Sequence, residues 1–363
     1  MEGRCITSPS HGVVGVFVSV GVRAVVNVEA LNAVETVGNV TKHRRAPIVL
    51  KGDKGYRLIY VPAASGESLA NAFQRNLVKA AKLIYGAEGL KPPITEWDER
   101  FEFVKFMDKA HLTPALKKLV AGKASNIPEA KHEFELQAIR ESIVADVAGF
   151  LYAEEELPVK RTSRLQVGYV VPTYDSIEAV AIEAQFHARH VPAETTKRKT
   201  AQVEAAQKAQ MIYYVEVASA TYGITINLDV DGIGRTSLVR VEDAVDGDER
   251  ARRVRASLLA LAALLAGEGF GAKLSRFLPV KTVESAVASI STPVAFTVSP
   301  PQRPDYISDT AARAGQLREV LKKLGVESSV ELIAYSKEVP EGLVKAGSIE
   351  DLMLKVIDRV LKG

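Results

Sequence analysis

A single cysteine, Cys5, stands in 363 residues, so no internal disulfide framework and no multi-cysteine zinc or iron–sulfur site can be built. That usage fits a reducing, cytoplasmic setting. Long apolar runs are scarce too. Residues 13–28, VVGVFVSVGVRAVVNV, are interrupted by Arg23, are too short for a bilayer span, and lack the leucine block and cleavage site of a signal peptide. They read as a long strand. Residues 256–266, ASLLALAALLA, follow the basic RARRVR and read as a helix buried against a sheet. No membrane segment is expected. An excess of one charge is missing as well: 47 Lys+Arg against 44 Asp+Glu leave +3, too little to identify a nucleic-acid partner. With 47% hydrophobic and 25% charged residues the chain can bury a real core, and its length suits two domains or one core with a large insertion.

The order of the segments is informative. After the first strand, residues 27–57 are polar and basic, punctuated by Gly38, Pro47, Gly52 and Gly55. RLIYVP then leads to a helix with Ser65 as N-cap and Glu67 in its first turn, running to Tyr85 and stopping at Gly86. Residues 90–157 open with KPP, carry apolar residues at helical spacing and turn acidic, as an inserted all-helical subdomain would. Strand patterns return from Pro158. A polar tract over about 190–211 precedes MIYYVEVASATYGITINLDV, then come a helix over about 249–266, a last core strand over 285–298, and a tail with two helices around SSVELIAYS. Strand, helix, two strands, helix, strand is the split βαβ order of RRM and ferredoxin-like folds. The expected class is therefore α+β, with a discontinuous core of residues 1–89 and 158–363 and the insertion at 90–157.

Several motifs dissolve on inspection. Gly267-Glu-Gly269-Phe-Gly271-Ala-Lys273-Leu-Ser275 lacks the Gly-Lys-Ser/Thr ending of a Walker loop, and it follows a helix where a dinucleotide fingerprint follows a strand. It reads as a helix C-cap, or as a backbone cradle for nucleic-acid phosphate with Lys273 and Arg276 beside it. Asn227-x-Asp229-x-Asp231-Gly232 begins like a calcium loop but has Leu238 at the twelfth position. His187 and His190 have no third ligand at a sensible spacing. No catalytic group, metal centre or cofactor is expected.

What remains is charge segregation. Lys42, Arg44, Arg45, Lys51, Lys54 and Arg57 face only Asp53 within residues 41–57. Lys160, Arg161 and Arg164 form a second group, and Arg189, Lys197, Arg198 and Lys199 a third beside His187. Three basic clusters flanking one sheet suit a phosphate track, with single-stranded RNA the natural ligand. The strand around Tyr222 lacks the aromatic pattern with which an RRM stacks bases, so loops are expected to do the gripping.

VRAVVNVEALNAVETVGNVTKHRRAP (22–47), YVPAASGESLANAFQ (60–74), VKRTSRLQVGYVVP (159–172), EAQFHARH (183–190), VEVASATYGITINLD (215–229) and GAKLSRFLP (271–279) together resemble the DevR-type RAMP proteins. These are the backbone subunits of archaeal type I-A CRISPR Cascade. The resemblance implies a modified RRM core with a helical lid at 90–157 and a β-hairpin thumb at about 190–211. It implies binding of CRISPR RNA, self-association into a helical filament, other Cascade subunits as partners, and pairing of the guide with target DNA. It places Asn39, Thr41, Lys42, His43, Arg44 and Arg45 on the RNA backbone, with Ser65, Gly66 and Glu67 at the adjoining helix start and His187 nearby. Lys160 and Arg161 are added from charge, as are Lys273 and Arg276. Two other readings stay open. A DNA-binding transcriptional autoregulator would need a helix-turn-helix, and none is evident. An RNA-cleaving relative would need an acid in the loop from Thr36 to Ile48, which has none. His43, among cations, is expected to be a weak lone base with its protonated form disfavoured.

Overall fold

Alternating valines build the first strand. The computed structural model describes residues 15–52, 55–122, 126–188, 212–267 and 270–362. In it, β1 (Phe17–Glu29) turns Val18, Val20, Val22, Ala24 and Val26 to one face and Ser19, Gly21 and Arg23 to the other. Residues 30–62, in which only RLIYVP reads as a strand, fold as two hairpins. β2 (Ala33–Val37) pairs with β3 (Val40–His43), and β4 (Arg45–Gly52) pairs with β5 (Gly55–Pro62). α1 (Gly66–Ala87) starts at the expected cap, where the Ser65 hydroxyl accepts the Ser68 N–H.

Residues 90–157 contain α2 (Glu96–Glu99), α3 (Pro114–Val120), α4 (Ile127–Glu141) and α5 (Ile143–Ala148). A small hairpin follows, β6 (Phe150–Tyr152) with β7 (Val159–Arg161). These elements close a core of their own around Phe106, Leu116, Phe134 and Tyr152, the last two stacked at 4.8 Å.

β8 (Leu165–Val167), β9 (Val171–Pro172) and β10 (Ala181–Ala188) come next, then β11 (Ile212–Asp229) and α6 (Gly247–Ala266). The chain continues through β12 (Val280–Thr292), α7 (Tyr306–Lys323), β13 (Ser329–Tyr335), β14 (Val344–Lys345) and α8 (Ile349–Lys362). The expected thumb at 190–211 lies outside the described residues, as do Arg189, Lys197, Arg198 and Lys199.

The result is a mixed α/β fold around one sheet. Its order is β14–β13–β12–β1–β11, with β3 and β2 continuing from one part of β11 and β8, β9 and β10 pairing with it. β1 is antiparallel to both β11 and β12, and β10 is antiparallel to β11. α1, α6 and α8 cover one face, packing Phe73, Leu77, Leu258, Leu261 and Leu352 against the β1 valines. The other face is covered by the C-terminal part of the chain. β12 stops at Thr292, short of the expected Val298, because Pro293 has no N–H for the ladder. The chain then crosses β1, where Val298 N–H donates to Ser19 Oγ at 3.1 Å and Tyr306 packs with Val287 and Val298. Among the described residues no helix is long and apolar enough to cross a membrane.

Candidate nucleic-acid interface

Three strands meet at the start of β11. β3 runs parallel to it, with Val40 opposite Tyr214 and Thr41 opposite Val215, and Asn39 carbonyl oxygen accepts the Tyr214 N–H at 2.8 Å. On the other side β10 pairs His187 with Tyr213. Neighbouring strands sit about 4.8 Å apart, so Asn39, Thr41 and His187 are gathered within roughly 10 Å across the strands despite their separation in sequence.

His187 stacks on Tyr213 with ring centroids 5.2 Å apart and meets the edge of Phe277 at 5.3 Å. Its Nε2 is buried without a hydrogen-bond partner among the described residues. Arg276 donates to the Tyr213 hydroxyl and lies 6.0 Å from its ring centroid. Lys273, one turn back, has a left-handed backbone at φ 55°. Burial, with the Arg276 charge beside it, holds its ammonium below the ordinary lysine value. The glycine-rich segment thus brings Arg276 and Phe277 to the His187–Tyr213 stack. It also ends α6 as expected, with Gly267 at φ 106° as the C-cap.

The β2–β3 hairpin is anchored by a buried carboxylate. Glu29, 1% exposed, accepts from His43 Nε2 at 2.8–2.9 Å, from Tyr222 hydroxyl at 2.6 Å and from Leu31 N–H at 2.6 Å. Glu216 accepts from His43 N–H at 2.9 Å and from Arg45 at 3.3 Å. Asn32 joins the hairpin to α1, its amide donating to Ser68 Oγ at 2.8 Å and its Oδ1 accepting the Ser65 N–H at 3.2 Å. Gly66 is required by contact, since a Cβ there would lie 2.4 Å from the Val167 carbonyl oxygen.

His43, Arg161 and Lys160 depart from expectation. His43 does not reach outward: its side chain is 1% exposed and held by Glu29 and the Arg44 carbonyl. Its protonated form is favoured. Burial opposes the charge, but the Glu29 hydrogen bond and charge, with the Arg44 carbonyl and Glu216, raise its pKa. Arg161 is not a surface cation either. Its guanidinium is enclosed between Glu135 at 3.1 Å and Asp146 at 2.6 Å, all three side chains 0% exposed. Arg253 reaches Asp146 from α6 at 2.9 Å, so the cluster ties the helical insertion to the core. Tyr222 is 1% exposed, and burial with the Glu29 charge pushes its phenol far above the ordinary value. Lys160 is exposed, but on β7, which pairs with β6 and not with the main sheet. In the stretch that begins like a calcium loop, Asp229 is paired with Arg164 at 3.1 Å, and Asp231 with Arg235 at 3.2 Å and Arg250 at 3.3 Å.

Asn39, Lys42 and Arg45 are exposed, and Thr41 and Arg44 are half-buried. Glu67 is exposed in the first turn of α1, where Ser65 is buried as the cap and Gly66 is half-buried. Sequence reasoning missed Glu29, Asn32, Tyr213, Glu216 and Phe277. An acid at the end of an apolar strand was the available signal for Glu29, and the paired tyrosines opening a strand for Tyr213.

The family model described as "CRISPR-associated negative auto-regulator DevR/Csa2" matches residues 20–311. A Saccharolobus solfataricus protein named "CRISPR-associated aCascade subunit Cas7/Csa2 2" is 37% identical over 350 residues, covering 93% of this chain and 99% of the relative. A Methanocaldococcus jannaschii protein named "CRISPR-associated protein Cas7/Cst2/DevR" is 25% identical over 346 residues, covering 95% and 100%. A solved chain titled "CRISPR RNA-guided surveillance complex, pre-nicking" aligns with a TM-score of 0.49 at 14% identity, covering 95% of this chain and 99% of that one. With a family match across most of its length and a relative alike from end to end, the chain belongs to the DevR/Csa2 family of CRISPR-associated proteins.

Proposed function

We propose that this protein is a CRISPR RNA-binding backbone subunit of a type I-A Cascade complex. Copies of it polymerise along the guide and present it for pairing with target DNA. The observation that carries this reading is the 37% identity, over nearly all of both chains, to a relative named as an aCascade subunit. The antiparallel order β12–β1–β11–β10, with α1 and α6 on one face, supports a modified RRM core. Residues 90–157 then serve as the lid, and their separate hydrophobic core is consistent with that role.

Delegating sequence to base pairing leaves the subunit to hold backbone. Lys42, Arg44 and Arg45 supply charge, Asn39 and Thr41 hydrogen bonds, and the N-terminus of α1 at Ser65 and Gly66 a favourable dipole. Glu67 can only accept, so it suits a 2′-hydroxyl and not a phosphate. His187, Lys273 and Arg276 add a second grip across β11. His43 acts through Glu29, positioning the hairpin. Glu29 and Glu216 beside the hairpin are both engaged, and the residues from Thr36 to Ile48 that follow the exposed Glu35 carry no acid, which supports a non-catalytic role.

The test is to purify the protein from a host carrying a CRISPR array and sequence its bound nucleic acid. Guide RNAs sharing a repeat-derived end are expected. Recovery of duplex DNA from its own promoter would favour the autoregulator named in the family description.

A further inference from the structure

The β4–β5 hairpin stands apart from the main sheet as a two-stranded ribbon. Its register places Pro47 opposite Tyr60, Val49 opposite Leu58 and Lys51 opposite Tyr56. By strand alternation these six side chains share one face. That face is open: Tyr56 is 78% exposed, Tyr60 68%, and Val49 and Leu58 59% each. The opposite face is the packed one, with Leu50 and Val61 buried. Beside the tip a groove of about 900 Å³ runs between the hairpin and the body, lined by Lys51, Tyr56 and Arg57 on one side and Tyr174, Ile177 and Arg303 on the other.

Neither strand carries an acid; by the same alternation Arg45 and Lys51 share the open face, and Arg57 lies on the other. Arg57 meets Glu178 at 3.0 Å in an exposed pair, the kind that yields to a competing anion at little cost. Tyr56 and Tyr60 are four residues apart, about 14 Å, with Leu58 midway. Flat rings and apolar steps along a basic ribbon match unpaired bases on a phosphate backbone. With no acid on either strand, the ribbon's charge is complementary to a polyanion.

We propose that the open face of the β4–β5 hairpin is a stacking platform for unpaired bases of a single-stranded nucleic acid. The grip described above holds backbone through β3 and α1, whereas this site takes base faces. It rests on the proposed function only in taking the ligand to be nucleic acid.

The full-length protein is titrated with a fluorescent oligouridine of about twelve nucleotides, and with an abasic strand of the same length. Base stacking contributes ~1–3 kcal/mol per base, so wild type should bind the base-bearing strand at least about tenfold tighter. Replacing Tyr56 and Tyr60 with leucine keeps an apolar surface but removes the rings. The double variant should lose that preference, its salt dependence should not change, and the Tyr→Phe pair should restore the preference. Equal wild-type binding of both strands would overturn the platform and leave the backbone grip standing. A preference that survives the leucine variant, with sedimentation showing weaker self-association, would make the face a contact between copies. Binding of neither strand at low salt would remove the nucleic-acid reading along with the platform.

Discussion

His43 and Arg161 are two basic side chains turned inward, each held by carboxylates. For His43 the raised pKa means that the folded chain keeps a proton the unfolded chain releases. Its stabilising contribution is complete below about pH 6.5 and is lost as the pH rises through the folded-state value. Denaturation midpoints of wild type should therefore fall as the pH rises above about 6.5, and His43→Gln should flatten that part of the profile. Parallel profiles would show that the Glu29 pair does not govern this range. Replacing Arg161 with methionine removes the Arg161 charge from Glu135 and leaves Asp146 to Arg253 alone in the interior, at a cost of ~3–5 kcal/mol. Thermal melting should register that loss, while Lys160→Ala should melt within about 0.5 kcal/mol of wild type. A stable Arg161→Met protein with weakened RNA binding would reverse the assignment of Arg161 as structural.

Among the elements, the start of α1 is held from three sides. Ser65 caps it, Asn32 ties it to the hairpin, and Gly66 lets β8 approach. Gly66→Ala puts a methyl against the Val167 carbonyl and should cost about 1–3 kcal/mol through a forced shift of helix or strand. Hydrogen exchange should rise first in α1 and β8. Protection unchanged at both would mean the contact relaxes without strain. The same region contains the largest departure from expectation. Residues 30–62 are dense in charge and turn formers, as a loop would be. Yet β2–β3 attaches to β11 through long-range pairing, and no local pattern records that.

Across the whole molecule, the phosphate contacts proposed above come from several elements. If a protomer neutralises about four to six phosphates, log K for single-stranded RNA should fall against log salt with a slope of about −3 to −4. Arg44→Ala with Arg45→Ala should flatten the slope and weaken all sequences alike; a loss confined to one sequence would indicate base reading. Guide-bound protein given complementary labelled RNA with magnesium or manganese should leave it intact. Regularly spaced cuts that vanish on mutating the chain would establish a nuclease.

Valine alternation in β1, the Ser65 cap, the Gly267 helix end and the two tail helices are all visible in the amino-acid order, because each depends on neighbours a few residues away. The family likeness was legible for the same reason, in short runs of adjacent residues. Burial was not. Lys42 and Arg45 remain at the surface while His43 and Arg161 are enclosed, and nothing in a run such as TKHRR or VKR distinguishes them. Their fate depends on Glu29, Glu135 and Asp146, whose carboxylates arrive from other elements. The covering of the second sheet face by residues 296–306 and α7 is likewise a tertiary outcome. It accounts for the missing base-stacking aromatics on β1 and β11: that face is filled by protein, because Ser19 and Gly21 let the returning chain pack directly on β1.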